Sequence, residues 1–206
     1  MKLIVQTSPL FFTEEDQILT ALFEEGLDIL HLHKSDPQPQ LYDRLLSLIP
    51  EQYHSRIMIQ EDFQRKEEFG LMGIHLTKKN PGIPEGYTGA ISRCCYNIEE
   101  VQEKKQDSLY VTLKYVFDSN STIESSHYSE DELENAQKEG IIDERVYGQT
   151  GINLNNLRLL KTFGFGGVVI CGDLWQRFNI QSARDFHDLL VHFRKLKNNH
   201  KKTDAL

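Results

Sequence analysis

The chain has 206 residues, 39% hydrophobic and 26% charged, the make-up of a folded globular protein and not of a disordered one. Its formal charge is −8, from 31 acidic and 23 basic side chains, so it repels a phosphate backbone and is a poor candidate for binding nucleic acid. Three cysteines, two of them adjacent at Cys94 and Cys95, make no disulfide framework and point to a reducing, cytoplasmic setting. No stretch nears the roughly 20 apolar residues of a membrane span, and the apolar run in Met1–Gln6 is too short for a signal peptide.

Short apolar runs alternate with longer amphipathic ones along the chain. Leu3 to Thr7 is rich in β-branched residues and reads as a strand. Thr13 is a candidate N-cap for a helix carrying Ile18, Leu19, Leu22 and Phe23 at helical spacing, stopped by Gly26. Leu27 to His33 reads as the second strand, followed by a helix from about Gln40 to Leu48. Arg56 to Gln60 reads as a strand, Asp62 to Phe69 as a helix, and Gly73 to Leu76 as a strand. Pro81 and Pro84 break the next segment, so the fourth helix is expected to be missing or a single turn before the strand at Thr88 to Ser92. The cycle continues with a helix at about Ile98 to Lys105, a strand at Leu109 to Leu113, a long polar loop, and a helix at about Glu130 to Glu139. A strand at Arg145 to Gly148, a helix at about Leu154 to Phe163, a strand at Gly166 to Cys171 and a helix at about Ser182 to Leu196 complete the pattern. Eight strands with intervening helices in this length predict a compact (β/α)8 barrel with a reduced fourth helix; an open doubly wound sheet is the alternative. One domain is expected over residues 1–197, with residues 198–206 a polar, frayed tail.

A barrel places its chemistry at the carboxyl ends of the strands. Those ends supply His31, His33 and Lys34 after strand two, Glu61 and Asp62 after strand three, and Lys78 and Lys79 after strand four. Ser92, Arg93, Cys94 and Cys95 follow strand five, and Lys114, Tyr115, Ser119, Ser121 and Thr122 follow strand six. Cations from several strands converging on one rim predict an anionic ligand despite the acidic total. Glu61 with Asp62 reads either as a magnesium site bridging to phosphates or as a helix cap beside a solvated carboxylate. Cys94 and Cys95 read as small buried residues, and His75 as a barrel-interior histidine. Gly151 and Gly172 end the last two strands, where backbone N–H groups of a barrel often hold phosphate.

Taken in order, these residues resemble the thiamine phosphate synthase and thiazole tautomerase (TenI-like) family. Gly73-Ile74-His75-Leu76 resembles its GVHL strand, and Ile59-Gln60-Glu61-Asp62 stands where it reads IND(D). Ala90-Ile91-Ser92 with Glu99-Glu100-Val101 resembles its GxS…xEV segment, and Tyr110 to Phe117 stands where it reads YVxxGxVF. Thr150-Gly151-Ile152-Asn153 resembles GGIN, and Gly167 to Ile170 the final GVAVI strand. The resemblance covers Leu3 to about Leu174. It implies thiamine phosphate synthase chemistry, the joining of hydroxymethylpyrimidine pyrophosphate to thiazole phosphate with release of pyrophosphate. The alternatives are a TenI-like tautomerase of the thiazole phosphate and a non-catalytic barrel that binds a phosphorylated metabolite.

By the same resemblance, Glu61 and Asn80 stand at the magnesium positions of a synthase, whereas a tautomerase needs no cofactor. His33, Lys34 and Lys78 stand on the pyrophosphate side. Ser119, Ser121, Thr122, Gly151, Asn153 and Gly172 are expected to hold the substrate phosphate, with Ser92, Tyr115 and His31 in catalytic roles. The family's Gln-x-Arg-x-Lys on strand two is replaced by His31-Leu32-His33-Lys34-Ser35, and its lysine after strand six is absent. Expected partners are phosphorylated small molecules and, by resemblance, a second copy of the chain in a homo-oligomer, with no nucleic acid and no membrane.

Overall fold

The computed structural model describes residues 1–117, 128–178 and 186–201. Eight parallel strands run in sequence order around a closed barrel: β1 (Lys2–Gln6), β2 (Ile29–Leu32), β3 (Ile57–Ile59), β4 (Gly73–Leu76), β5 (Ala90–Cys95), β6 (Tyr110–Leu113), β7 (Val146–Gln149) and β8 (Gly167–Ile170). β1 pairs with β8, Lys2 opposite Gly167 and Val5 opposite Ile170, which closes the sheet and excludes the open doubly wound alternative. Each strand is a short apolar run, and alternation sends its residues to two surroundings. Leu3, Val5, Leu30, Leu32, Ile57, Ile59, Ile74, Val111, Val168 and Ile170 join the layer that packs against the helices. Ile4, Ile29, Met58, Tyr110, Tyr147 and Val169 form a separate apolar cluster that fills the lower barrel.

The helices are α1 (Glu15–Glu24), α2 (Pro39–Leu48), α3 (Arg65–Glu68), α4 (Ile98–Lys104), α5 (Glu130–Lys138), α6 (Leu157–Thr162), α7 (Gly172–Trp175) and α8 (His187–Lys201). β4 and β5 are joined without a helix, as the prolines dictate. A 3-10 helix at Glu51–Arg56 and the single turn of α7 were not signalled by periodicity. α8 runs on to Lys201, past the point where the tail was expected to begin. α1 is not capped by Thr13: the N-cap is Glu14, in the left-handed region at φ 70 and without a side-chain cap. Strand five extends to Cys95 and not to Ser92, so both cysteines lie in the strand. Among the described residues, no helix is long and apolar enough to cross a membrane.

Candidate active site

Above the apolar plug the barrel interior turns polar. Gln6, His31, Gln60, His75, Ser92, Cys94, Thr112, Lys114 and Gln149 all fall on the inward side of their strands by alternation from the plug residues. His31, Gln60, His75, Ser92, Thr112 and Gln149 are buried polar residues. Buried polar groups need partners, and most of these find one another, Gln60 Nε2 and His31 Nδ1 excepted. His31 Nε2 and the Tyr110 hydroxyl are 2.6 Å apart, His75 Nδ1 and Ser92 Oγ 2.7 Å, and the two imidazole rings lie 4.4 Å centroid to centroid. The Thr112 hydroxyl donates to Gln149 Oε1 at 2.8 Å, and Gln149 Nε2 donates to Gln6 Oε1 at 3.2 Å. Burial pushes His31 down to about 3, with His33 adding to the shift, and burial also carries His75 well below the ordinary imidazole range. Both rings are therefore neutral near pH 7. His31 was expected to act as an acid–base group, but a base working at neutral pH needs a pKa near 7. It is instead part of the neutral floor, as is Ser92.

The rim on the β2–β3 side is held by a clamp. His33 Nδ1–H donates to Glu61 Oε1 at 2.7 Å, the Lys34 backbone N–H to Glu61 Oε2 at 3.1 Å, and the Tyr42 hydroxyl of α2 to the same oxygen at 3.2 Å. This contact orients the His33 ring, a quarter of whose side chain stays exposed at the rim. Glu61 itself is only 5% exposed. Asn80 turns its amide NH₂ onto the Gln60 carbonyl at 3.0 Å, which draws the β4 loop against β3. A magnesium ion demands near-octahedral oxygen donors. Here it would find one carboxylate already committed to three donors and one neutral amide oxygen. Among the described residues no group of three His, Cys, Asp or Glu is placed to hold a metal ion. These residues would not cage an ion by themselves; a magnesium ion arriving with substrate oxygens would use the lone pair left on Glu61.

Lys34 is also displaced from its expected role on the pyrophosphate side. Its side chain is fully buried and points away from the mouth, with Nζ 2.5 Å from Glu15 Oε1 and within 3.1 Å of the Ser8 and Leu10 carbonyls. The strand alternates, so Lys34 lies on the helix side while His33 lies on the barrel side.

The cations that do reach the mouth come from β4 and β6. Lys78 Nζ lies 3.8 Å from the Tyr96 ring centroid, and Lys114 Nζ lies 5.3 Å from Tyr96 and 5.8 Å from Tyr115. Neither ammonium makes an ion pair among the described residues. Among the described residues, three of the four non-glycine residues at positive φ follow strands: Asp62 at 48, Tyr115 at 58 and Thr150 at 73. Such strain gathers at functional sites. Thr150 is followed by Gly151 at φ 72. Asn153, expected on the phosphate, instead holds this loop: its backbone N–H donates to Asn156 Oδ1 at 2.9 Å and its Oδ1 accepts from the Asn155 N–H at 2.9 Å. Gly172 opens α7, where an added Cβ would meet nothing closer than 3.6 Å. Ser119, Ser121 and Thr122 lie outside the described residues.

The chain is 48% identical to thiamine phosphate pyrophosphorylase from Bacteroides thetaiotaomicron, with a TM-score of 0.91, over 98% of this chain and 99% of that one. The chain belongs to the thiamine phosphate pyrophosphorylase (thiamine phosphate synthase) family. Thiamine phosphate pyrophosphorylase from Pyrococcus furiosus, 17% identical with a TM-score of 0.73 over 98% and 96% of the two chains, shares the fold. So does a 3-hexulose-6-phosphate synthase, 13% identical with a TM-score of 0.61 over 97% and 99%. No family model and no curated protein matches the chain.

Lys114 and Gln149 stand at strand ends in the sequence but were given no role there, and Tyr96, Tyr42 and Gln6 were passed over. Lys114 carried a usable signal, since it stands at the glycine of the YVxxGxVF stretch. Tyr42 carried none, because an aromatic on the apolar face of a helix reads as core.

Proposed function

We propose that the chain is a thiamine phosphate synthase acting at the polar mouth of the barrel. The observation that carries this reading is the placement of two lysines, Lys78 and Lys114, with no ion-pair partner among the described residues, by the carboxyl ends of β4 and β6 in a barrel 48% identical, end to end, to a thiamine phosphate pyrophosphorylase. In the reaction, the bond between the pyrimidine methylene carbon and the pyrophosphate oxygen breaks, and the electron pair leaves with pyrophosphate. The thiazole nitrogen lone pair then forms the new C–N bond. Negative charge grows on the departing oxygen, where fixed cations lower the barrier most. Lys78 and Lys114 supply that charge, and His33 lines the opposite rim. Thr150, Gly151 and Gly172 present backbone toward the thiazole phosphate, the usual place for a barrel phosphate. The neutral floor of His31, His75, Ser92 and Tyr110 adds no charge of its own.

A second reading, a thiazole phosphate tautomerase, is favoured by one feature. Tyr115 is held at the mouth at φ 58, the position where the resemblance puts the isomerase's proton-transfer group, and that reaction needs no metal. An end-point assay separates the two. Purified protein with both substrates and magnesium should yield thiamine phosphate above a no-enzyme control, and lose most of it in Lys78→Ala/Lys114→Ala. No product at micromolar protein overturns the synthase reading. Conversion of thiazole phosphate alone would then support the tautomerase, and binding without conversion a non-catalytic barrel.

A further inference from the structure

We propose that His192 of α8 is a positioning residue for the phosphate end of the site: it holds the Asp173 carboxylate against α8, where that charge does not face a phosphate seated on the Gly172 backbone. The inference rests on the reading of Gly172 as part of the phosphate end and adds the residue that keeps this end fit for an anion.

His192 is out of place by composition. α8 buries Leu189, Phe193 and Leu196 at helical spacing, and His192 falls on the same stripe, itself a buried polar residue. A polar ring enclosed there needs a partner. Its partner is Asp173: His192 Nε2–H donates to Asp173 Oδ2 at 2.7 Å, with the two side chains 6% and 15% exposed. Arg177 lies 3.6 Å from the other carboxylate oxygen, but its side chain is half exposed, and such an ion pair is worth little. The enclosed contact to His192 is therefore the one that decides where the carboxylate lies.

The position of Asp173 in the chain makes this matter. It follows Gly172, the residue that opens α7, and neighbouring Cα atoms are about 3.8 Å apart. An anion held on the Gly172 backbone thus has a carboxylate close by in every rotamer. Like charges at this range, inside the screening length of about 8 Å at physiological salt, repel one another. The surroundings otherwise suit an anion. Burial pushes the Cys171 thiol up to about 11 while the Lys114 ammonium pulls against it, so a lysine charge reaches the end of β8. α7 is a single turn of four residues, too short to be stable by itself, and it is held from outside. Leu174 is buried in the core, and Trp175 Nε1–H donates to the Gln6 carbonyl at 2.7 Å. These two contacts hold the turn but not the carboxylate. Without His192, Asp173 keeps only an exposed arginine and is free to change rotamer.

The test is calorimetric titration of the full chain with thiazole phosphate. Wild type should bind it, and His192→Ala should weaken binding about tenfold, the effect of one released charge near a phosphate. His192→Gln, whose amide nitrogen still reaches Asp173 as a donor, should keep most of the affinity. His192→Ala/Asp173→Asn should recover binding to within about threefold of wild type, because the amide carries no charge to repel the phosphate. A merely structural role for His192 predicts the opposite, since the double variant lacks the same anchor. Thermal melts show which variants are folded; should His192→Ala not be, His192→Leu, which fills the space without a donor, takes its place. A donor-less variant that binds as tightly as wild type, or a double variant no tighter than the single one, overturns the proposal, and so does a wild type that does not bind thiazole phosphate. Turnover is read separately. Weakened and rescued binding in a chain that makes no thiamine phosphate upholds this inference and defeats the synthase reading. Turnover in a chain whose binding is indifferent to His192 does the reverse.

Discussion

Thr150 and Gly151 sit in succession in the left-handed region, at φ 73 and 72, at the end of β7. Only glycine adopts this conformation without a steric cost. Gly151→Ala should therefore lower stability by about 1 kcal/mol in urea denaturation, whereas Thr150→Gly should leave it unchanged or slightly raised, because relief of strain offsets the added chain entropy. The glycine was legible in the sequence; the same strain on the threonine before it was not, since nothing in a threonine marks a positive φ. Depth along a strand was equally hidden. Alternation correctly places His31 and His33 on one face. Two residues of strand, however, amount to about 7 Å, enough to take one ring from a quarter exposed at the rim to fully enclosed on the floor. Nothing in the residue types separates the two in depth, and burial is what keeps His31 neutral.

The β1–α1 connection is organised by a single buried ion pair. Lys34 from the end of β2 binds Glu15 in the first turn of α1 and two carbonyls of the intervening loop, and its ammonium lies 4.6 Å from the Phe11 ring centroid. Removing one partner strands the other's charge in the interior, so Lys34→Met should cost about 3–5 kcal/mol, and Lys34→Met/Glu15→Met should recover much of that loss in denaturant melts. Burial raises Glu15 from 4.5 to about 7 against the pull of Lys34. Between those two values the folded chain holds a proton that the unfolded chain has released, so this group's contribution to stability falls as pH rises from about 4.5 to 7. Melting temperatures followed across that window should decline more steeply in wild type than in Glu15→Gln; parallel curves would show that Glu15 is ionised throughout. The element order was legible because apolar periodicity and two prolines suffice to set it. The misassigned cap of α1 was not, because Glu15 is acidic in the first turn for a tertiary reason, its lysine nineteen residues away in the fold's interior, and not for the helix dipole.

At the scale of the whole molecule, the barrel followed from counting strands and helices, and its closure against the open doubly wound alternative from the pairing of β1 with β8. The site was half legible. The carboxyl ends named the rim where the polar interior opens, but which side chains face it depends on where each strand stops, and β5 runs three residues beyond its expected end. The lower barrel is filled by Ile4, Ile29, Met58, Tyr110, Tyr147 and Val169, with the two tyrosine rings stacked at 4.6 Å. Trimming this plug should be costly: Met58→Ala is expected to lose about 2–5 kcal/mol in chemical denaturation, with any synthase turnover at low temperature kept. The plug also makes the barrel a cul-de-sac. Whatever enters by the strands' carboxyl ends must back out through the same doorway, so on the proposed synthase reading two incoming molecules and two outgoing ones share one vestibule. Traffic then has to be sequential: the deeper guest arrives first and departs last, and a lingering product obstructs the next arrival.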